Sequence, residues 1–407
     1  MLSPLKFLSK RYPFLRHQQV LPVRSITISQ TAAGVTVATF QEQGLTAGLS
    51  VIVGGGSRYE TEKTAGAAHY LKNYTFMNNK KRLALRIARE AELESAVLSR
   101  TLGYEYMSFQ AQFLKGDEEY FTEILSDVIC RQKYEPFEFP HVQKITRMES
   151  NYARARPRII GLEKAHKLAF RNGLGNPVFS EALNNMDHNV VKALSKELYI
   201  ASNIVLVGRG VDHKKLLGYV NLHFDLDDIR RNEVISVYYG GEERISKETD
   251  IGHCTIAFRG FPIGSFDYCA AAVLRQHLGS HSNIKWATGN SMLQAIHQKL
   301  SLDSHVTCFN LGYSDHGLFG IQIDALNNEM DRALVLVMDV IQTLNSDISD
   351  QDLDKAKNLA KMNCAYAINN RLDFMDHMGY RILNGHTEDL QDIFRDIDAI
   401  GQEDVQK

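Results

Sequence analysis

Asp127-Val128-Ile129 returns 212 residues later as Asp339-Val340-Ile341. Met148, inside a charged stretch with helical spacing, has a counterpart 214 residues on in Met362. Ala169-Phe170-Arg171, followed by Gly173, is matched after 210 residues by Gly379-Tyr380-Arg381, followed by Gly385. One short match is chance. Three in order, at a nearly constant offset, mean that one unit is used twice.

Working outward, the copies read as strands interrupted by helices. Val35–Phe40 and Leu49–Val53 are β-branched runs of strand length, and Tyr106–Phe113 alternates like a half-buried strand. Glu90–Leu102 and Glu118–Ile129 carry apolar residues at helical spacing. Asn203–Val207 is a short buried strand ended by Gly208. Strands separated by helix pairs predict an α+β layer rather than a strict parallel winding. The copies are placed at 28–225 and 251–407, with a polar linker at 226–250 that contains Gly240-Gly241. Adding the repeat offset to Asn203–Val207 puts its partner at about 413–417, so the second copy is expected to stop before its last strand.

The bulk numbers bound the function. The 407 residues are 44% hydrophobic and 23% charged with a net charge of -2, which is globular and gives no basic footprint for nucleic acid. The longest apolar run, Ala333–Ile341, contains Asp339 and is far short of a bilayer span. Five cysteines, never spaced C-x-x-C, argue for small core residues over disulfides, zinc or iron–sulfur sites. Residues 1–41 contain no acid, whereas Lys6, Lys10, Arg11, Arg16 and Arg24 alternate with Leu5, Leu8, Phe14 and Leu15. That pattern predicts a mitochondrial presequence over 1–27, cleaved between Arg24 and Thr27.

The chemistry centres on His69-Tyr70-Leu71-Lys72-Asn73. An H-x-x-E-H helix presents two imidazoles to one zinc ion, with the glutamate as general base and a distant glutamate as third ligand. Here the first histidine is kept as His69. Lys72 holds the base position and Asn73 the second ligand position, while Glu149 lies where the distant ligand belongs. Lysine is protonated at neutral pH and repels a metal ion, and a neutral amide is a poor zinc ligand. His69 and Glu149 give two ligands where catalysis needs three. No catalytic, cofactor or metal site is therefore expected; His69, Lys72, Asn73 and Glu149 are the remnant of one. Gly54-Gly55-Gly56 lacks the Lys-Ser/Thr of a P-loop, and Gly208-Arg209-Gly210 lacks the third glycine of a dinucleotide loop, so it reads as a turn. His277 and His281 read as a loop pair because Gly279 lies between them.

Gly56–Glu60 through Leu71, and Tyr239-Gly240-Gly241-Glu242 with Arg244, resemble the mitochondrial processing peptidase branch of the pitrilysin family. Phe309-Asn310, Tyr313-Ser314-Asp315 and Gly317-Leu318-Phe319 are similar to the non-catalytic core subunits of mitochondrial ubiquinol–cytochrome c reductase (respiratory complex III) within that branch. The resemblance implies two α+β rolls, each a mixed sheet with helices on one face, closing into a bowl of metallopeptidase-like fold. It also implies a structural subunit without redox centres, on the matrix side of the inner membrane. Core protein 1, cytochrome b and cytochrome c1 would be its partners. The alternative is the non-catalytic, presequence-binding subunit of the processing peptidase, which carries a glycine-rich loop. The corresponding Gly279–Trp286 is not glycine-rich.

Overall fold

The computed structural model describes residues 26–181, 186–227, 235–279, 291–297, 299–301, 304–344 and 348–406. Residues 1–25, and with them almost all of the expected presequence, lie outside the described residues.

The first half runs β1 (Ile26–Gln30), β2 (Thr36–Phe40), β3 (Thr46–Gly54), α1 (Ala67–Tyr74), α2 (Ala84–Leu93), β4 (Val97–Leu102) and β5 (Tyr106–Leu114). It continues through α3 (Glu118–Cys130), α4 (Phe139–Arg154), α5 (Pro157–Phe170), α6 (His188–Leu198), β6 (Ile204–Arg209) and α7 (His213–His223). The second half is β7 (Ile251–Gly260), α8 (Phe266–Leu278), α9 (Met292–His297), β8 (His305–Gly312), β9 (Gly317–Leu326) and α10 (Met330–Thr343), then α11 (Asp350–Asn369), α12 (Arg371–Leu383), α13 (Leu390–Ala399) and α14 (Gln402–Gln406).

The six-stranded sheet has the order β1-β2-β6-β3-β5-β4; only β2 and β6 are parallel, so the sheet is mixed. The second half has three antiparallel strands among the described residues, in the order β7-β9-β8. Both sheets place the hairpin pair alike: β5 lies between β3 and β4, and β9 between β7 and β8. The repeat matches fall on equivalent elements, α3 with α10, α4 with α11, and α5 with α12.

Two readings need correction. Glu90–Leu102 is not one helix. α2 ends at Leu93, Ser95 turns the chain at φ 52, and Val97–Leu102 becomes edge strand β4 on β5. Helical spacing and strand alternation overlap in a stretch this short, and pairing with β5 decided it. The strand at Asn203 begins instead at Ile204 and runs through Gly208 to Arg209, so the turn starts only at Gly210, where φ is 78.

Each sheet buries one face on helices of its own half. In the first, Leu49, Val51, Phe109, Phe113 and Leu206 form one core with residues from α1, α3 and α6 such as Leu71, Phe121, Leu125 and Leu194. The other face is taken by a helix from the opposite half. Phe374, Met375, Met378 and Ile382 of α12 pack on Ala38, Phe40, Ile52, Val205 and Val207. The exchange is mutual, because α5 of the first half packs on β7 of the second. A glycine marks each crossing. A Cβ on Gly379 would stand 2.3 Å from Ile52 Cδ1, and one on Gly161 would stand 2.6 Å from Thr255 Oγ1.

Polar groups fix where each exchanged helix sits. Asp376 reaches into the first sheet, where Ser50 (3.1 Å), Thr101 (3.0 Å), Ser108 (2.8 Å) and Gln110 (2.6 Å) all donate to its carboxylate. On the other side Arg158 of α5 pairs with Asp324 of β9, which His253 of β7 also meets at 2.7 Å. Buried polar groups satisfied on every side constrain register more sharply than apolar contact does.

Candidate functional site: a carboxylate held by an ammonium

The site is built by α1 and α4. Glu60 closes the N-terminus of α1, accepting from the backbone N–H groups of Gly66 and Ala68, both at 2.7 Å. Burial nevertheless pushes its carboxyl up to about 8. With α1 so anchored, His69, Lys72 and Asn73 stand at i, i+3 and i+4 on one face. α4 packs against that face and delivers Glu149.

The structure brings all four remnant residues together. His69 Nε2 lies 2.6 Å from Glu149 Oε2, and the Ser180 N–H donates to His69 Nδ1 at 3.2 Å. The second bond makes Nδ1 the acceptor, so the ring proton is on Nε2 and points at Glu149. Lys72 Nζ donates to both carboxylate oxygens, at 2.9 and 2.8 Å. Asn73 Nδ2 donates to Glu149 at 2.8 Å and to Thr146 Oγ1 at 3.0 Å.

The electrostatics follow from these contacts. Burial opposes ionisation of Glu149, but hydrogen bonds from His69, Lys72 and Asn73 outweigh it and hold the carboxyl below the usual range. Burial depresses His69, with the Lys72 cation adding to the effect, so its imidazole is neutral. Desolvation lowers Lys72 as well, against the pull of Glu149.

This set does not fit zinc. A tetrahedral zinc ion with bonds of about 2.0–2.1 Å separates its ligand atoms by about 3.3 Å. His69 and Glu149 are instead joined directly by a hydrogen bond, and the cation on the carboxylate is the Lys72 ammonium. Asn73 turns its amide nitrogen, a donor, toward the site. Among the described residues no three His, Cys, Asp or Glu side chains are grouped to hold a metal ion.

Sequence reasoning missed three contributors. Thr146 lies one turn before Glu149 on α4, and that spacing was a usable signal. Arg100 donates to the carbonyls of Asn73 and Thr75, at 3.3 and 3.0 Å, and closes the C-terminus of α1. It was hidden by the helix reading of Glu90–Leu102. Ser180 arrives from a loop, with no signal in its spacing.

The other motif residues join the halves. Arg58 donates to Asp315 at 2.9 and 2.6 Å, to Ser314 at 2.9 Å, and to buried Glu105. Glu105 also accepts hydrogen bonds from the Tyr380 hydroxyl and, at 2.9 Å, from the backbone N–H of Ser314. The Ser236 N–H reaches Asp315 at 2.7 Å. Among the other candidates, His277 is in the last turn of α8 rather than in a loop, and Gly279 ends that helix at φ 125. His281 and the stretch 280–286 lie outside the described residues. All five cysteines are free, and burial pushes the Cys308 thiol up to about 12.

Two interleaved α+β halves around an altered histidine-glutamate site define a metallopeptidase-type fold. Residues 36–182 match the family description "Insulinase (Peptidase family M16)", and residues 185–360 match "Peptidase M16 inactive domain". The chain belongs to peptidase family M16.

Within that family it is similar to the mitochondrial cytochrome b-c1 complex subunit 2 of Cryptococcus neoformans, with 31% identity over 372 residues, covering 89% of this chain and 84% of the relative. The same subunit of Neurospora crassa is 32% identical over 364 residues, covering 87% and 79%. The fold is shared with a chain in the structure "Complex III2 from Candida albicans, Inz-5 bound" at a TM-score of 0.82, covering 93% of this chain and 91% of that one, with 19% identity.

Proposed function

We propose that the chain is a non-catalytic core subunit of mitochondrial ubiquinol–cytochrome c reductase, on the matrix side of the inner membrane. It would stabilise the complex during respiratory electron transport without carrying a redox centre. The observation that carries this reading is Glu149 in the grip of Lys72: an ammonium and an amide nitrogen meet the carboxylate where a peptidase needs a cation and a base. The relatives, which are named as subunit 2 of that complex, support it. Core protein 1, cytochrome b and cytochrome c1 are the proposed partners. No helix among the described residues is long and apolar enough to cross a membrane.

Residues 1–27 are proposed as a transit peptide. The acid-free basic stretch, whose last early arginine is Arg24, supports cleavage close to that point. The halves are proposed at 28–225 and 251–407. The polar 226–250 stretch joins them and contributes Ser236, Tyr239 and Glu243 to their packing.

Affinity purification of the tagged chain from mitochondria tests the assignment. Cytochrome b and cytochrome c1 should co-purify in stoichiometric amounts. Recovery of a processing-peptidase catalytic subunit in their place would overturn it.

A further inference from the structure

A cavity of about 280 Å³ lies beside the altered site, between the end of α4, one face of α5 and the loop after α5. Its wall gathers Arg154, Lys164, Lys167 and Arg171, against the carboxylates of Glu163 and Glu181. Glu163 is committed elsewhere, for it accepts the Phe179 N–H at 3.1 Å and holds the loop. Among the described residues neither Arg154 nor Lys167 comes within ion-pair distance of a carboxylate, although the Arg154 charge acts on Glu163 across the cavity wall. Cations in a last turn complement the helix dipole, which accounts for some of this charge. It does not account for a cavity that collects four of them.

The 235–243 segment lies across this wall as a strap. The Tyr239 N–H donates to the carbonyl of Ala169 at 2.7 Å, and the Arg171 guanidinium stands 4.2 Å from the centre of the Tyr239 ring. Glu243 brings a carboxylate to Lys164 at 2.9 Å. The strap thus already places one oxyanion on a cavity cation. Arg171 holds its position at φ 59, a backbone conformation that a non-glycine residue adopts at a cost.

We propose that this cavity is an anion-binding site that takes a phosphate group, and that Glu243 of the strap competes with the anion for Lys164. Charge-assisted bonds from lysine and arginine are the chemistry that recognises phosphate, and the cavity has room for the group and its immediate substituent. The phosphate could belong to a dissolved phosphate compound or to a phospholipid headgroup. Binding would loosen the Lys164–Glu243 contact, and with it the segment that also engages Asp315 through Ser236.

The test uses the full purified chain. Calorimetric titration with inorganic phosphate and pyrophosphate is run at constant ionic strength, with chloride as control, beside flotation with phosphatidylglycerol and phosphatidylcholine vesicles. Saturable binding is expected, and losing the Lys167 contact in Lys167→Gln should weaken it about tenfold. Glu243→Gln, which removes the competing carboxylate, should tighten it several-fold. Binding of the soluble anions without flotation would assign a dissolved ligand. Flotation with phosphatidylglycerol alone, sensitive to the same substitutions, would assign the headgroup. Neither binding nor flotation, or binding indifferent to both substitutions, would overturn the proposal. Circular dichroism melts of the variants establish that each is folded, and both substitutions are outside the core.

Discussion

At the scale of the residue, Lys72 decides what the old metal site can be. Lys72→Glu should bind no zinc, because His69 and Glu149 still supply only two ligands. It should also destabilise the chain by about 2 kcal/mol, since two carboxylates then share a site that has lost its ammonium. The cost stays below that of a fully orphaned buried charge because Glu149 is a third exposed. Adding Asn73→His to Lys72→Glu completes a three-ligand set, and this double variant should take up zinc. Metal analysis after dialysis checks both statements; stoichiometric zinc in the parent chain or in Lys72→Glu would sink the reading.

His166 gives a second residue-scale prediction. Its Nδ1–H donates to the Leu162 carbonyl at 2.7 Å, its Nε2 accepts from the Tyr313 hydroxyl at 2.7 Å, and Tyr104 stacks on its ring. Burial pushes its pKa down to about 4. Below the unfolded value of about 6.5 the unfolded chain takes a proton that the folded chain refuses, so stability is lost as the pH falls from there toward 4. The expected slope from this group is about 1.4 kcal/mol per pH unit. Urea unfolding between pH 7.5 and 5 should show it, and His166→Gln should flatten the curve by about one proton.

At the scale of the element, α12 is the test of the exchange. Met378 is fully buried against the first sheet, and Met378→Ala should cost about 2–5 kcal/mol. Gly379→Ala would ordinarily favour a helix. Here the added methyl meets Ile52 and Val207, and a loss of about 1–3 kcal/mol is expected. Denaturant melts measure both; a neutral or stabilising Gly379→Ala would mean that the helix does not approach the sheet so closely. Edge position gives another contrast. β3 is paired on both sides and almost wholly buried, whereas β7 pairs only with β9 among the described residues and is largely half-buried. Amides on the outer edge of β7 should exchange with solvent faster than those of β3. Equal protection would show that the β7 edge is covered.

At the scale of the whole molecule, each half completes its packing with a helix from the other. The halves should therefore unfold together rather than as two separate transitions. Arg58, Glu105, Ser314, Asp315 and Tyr380 make this coupling polar as well as apolar, drawing one network from four separate stretches of chain. The strands that alternate or run β-branched were legible, because period and composition are local properties. The two-copy organisation was legible from three matches at a nearly constant offset. So was the departure of Lys72 and Asn73 from the H-x-x-E-H pattern, since residue type and spacing along α1 are local properties. Where Lys72 points was not legible, because it depends on α4 bringing Glu149 across α1. Nor was the fate of Val97–Leu102, which only pairing with β5 could decide. The exchange of α5 and α12 lay furthest from view. Which sheet each helix covers is set by contacts some 160–330 residues apart, such as Arg158 with Asp324 and Ser50 with Asp376, and only the folded chain brings those together.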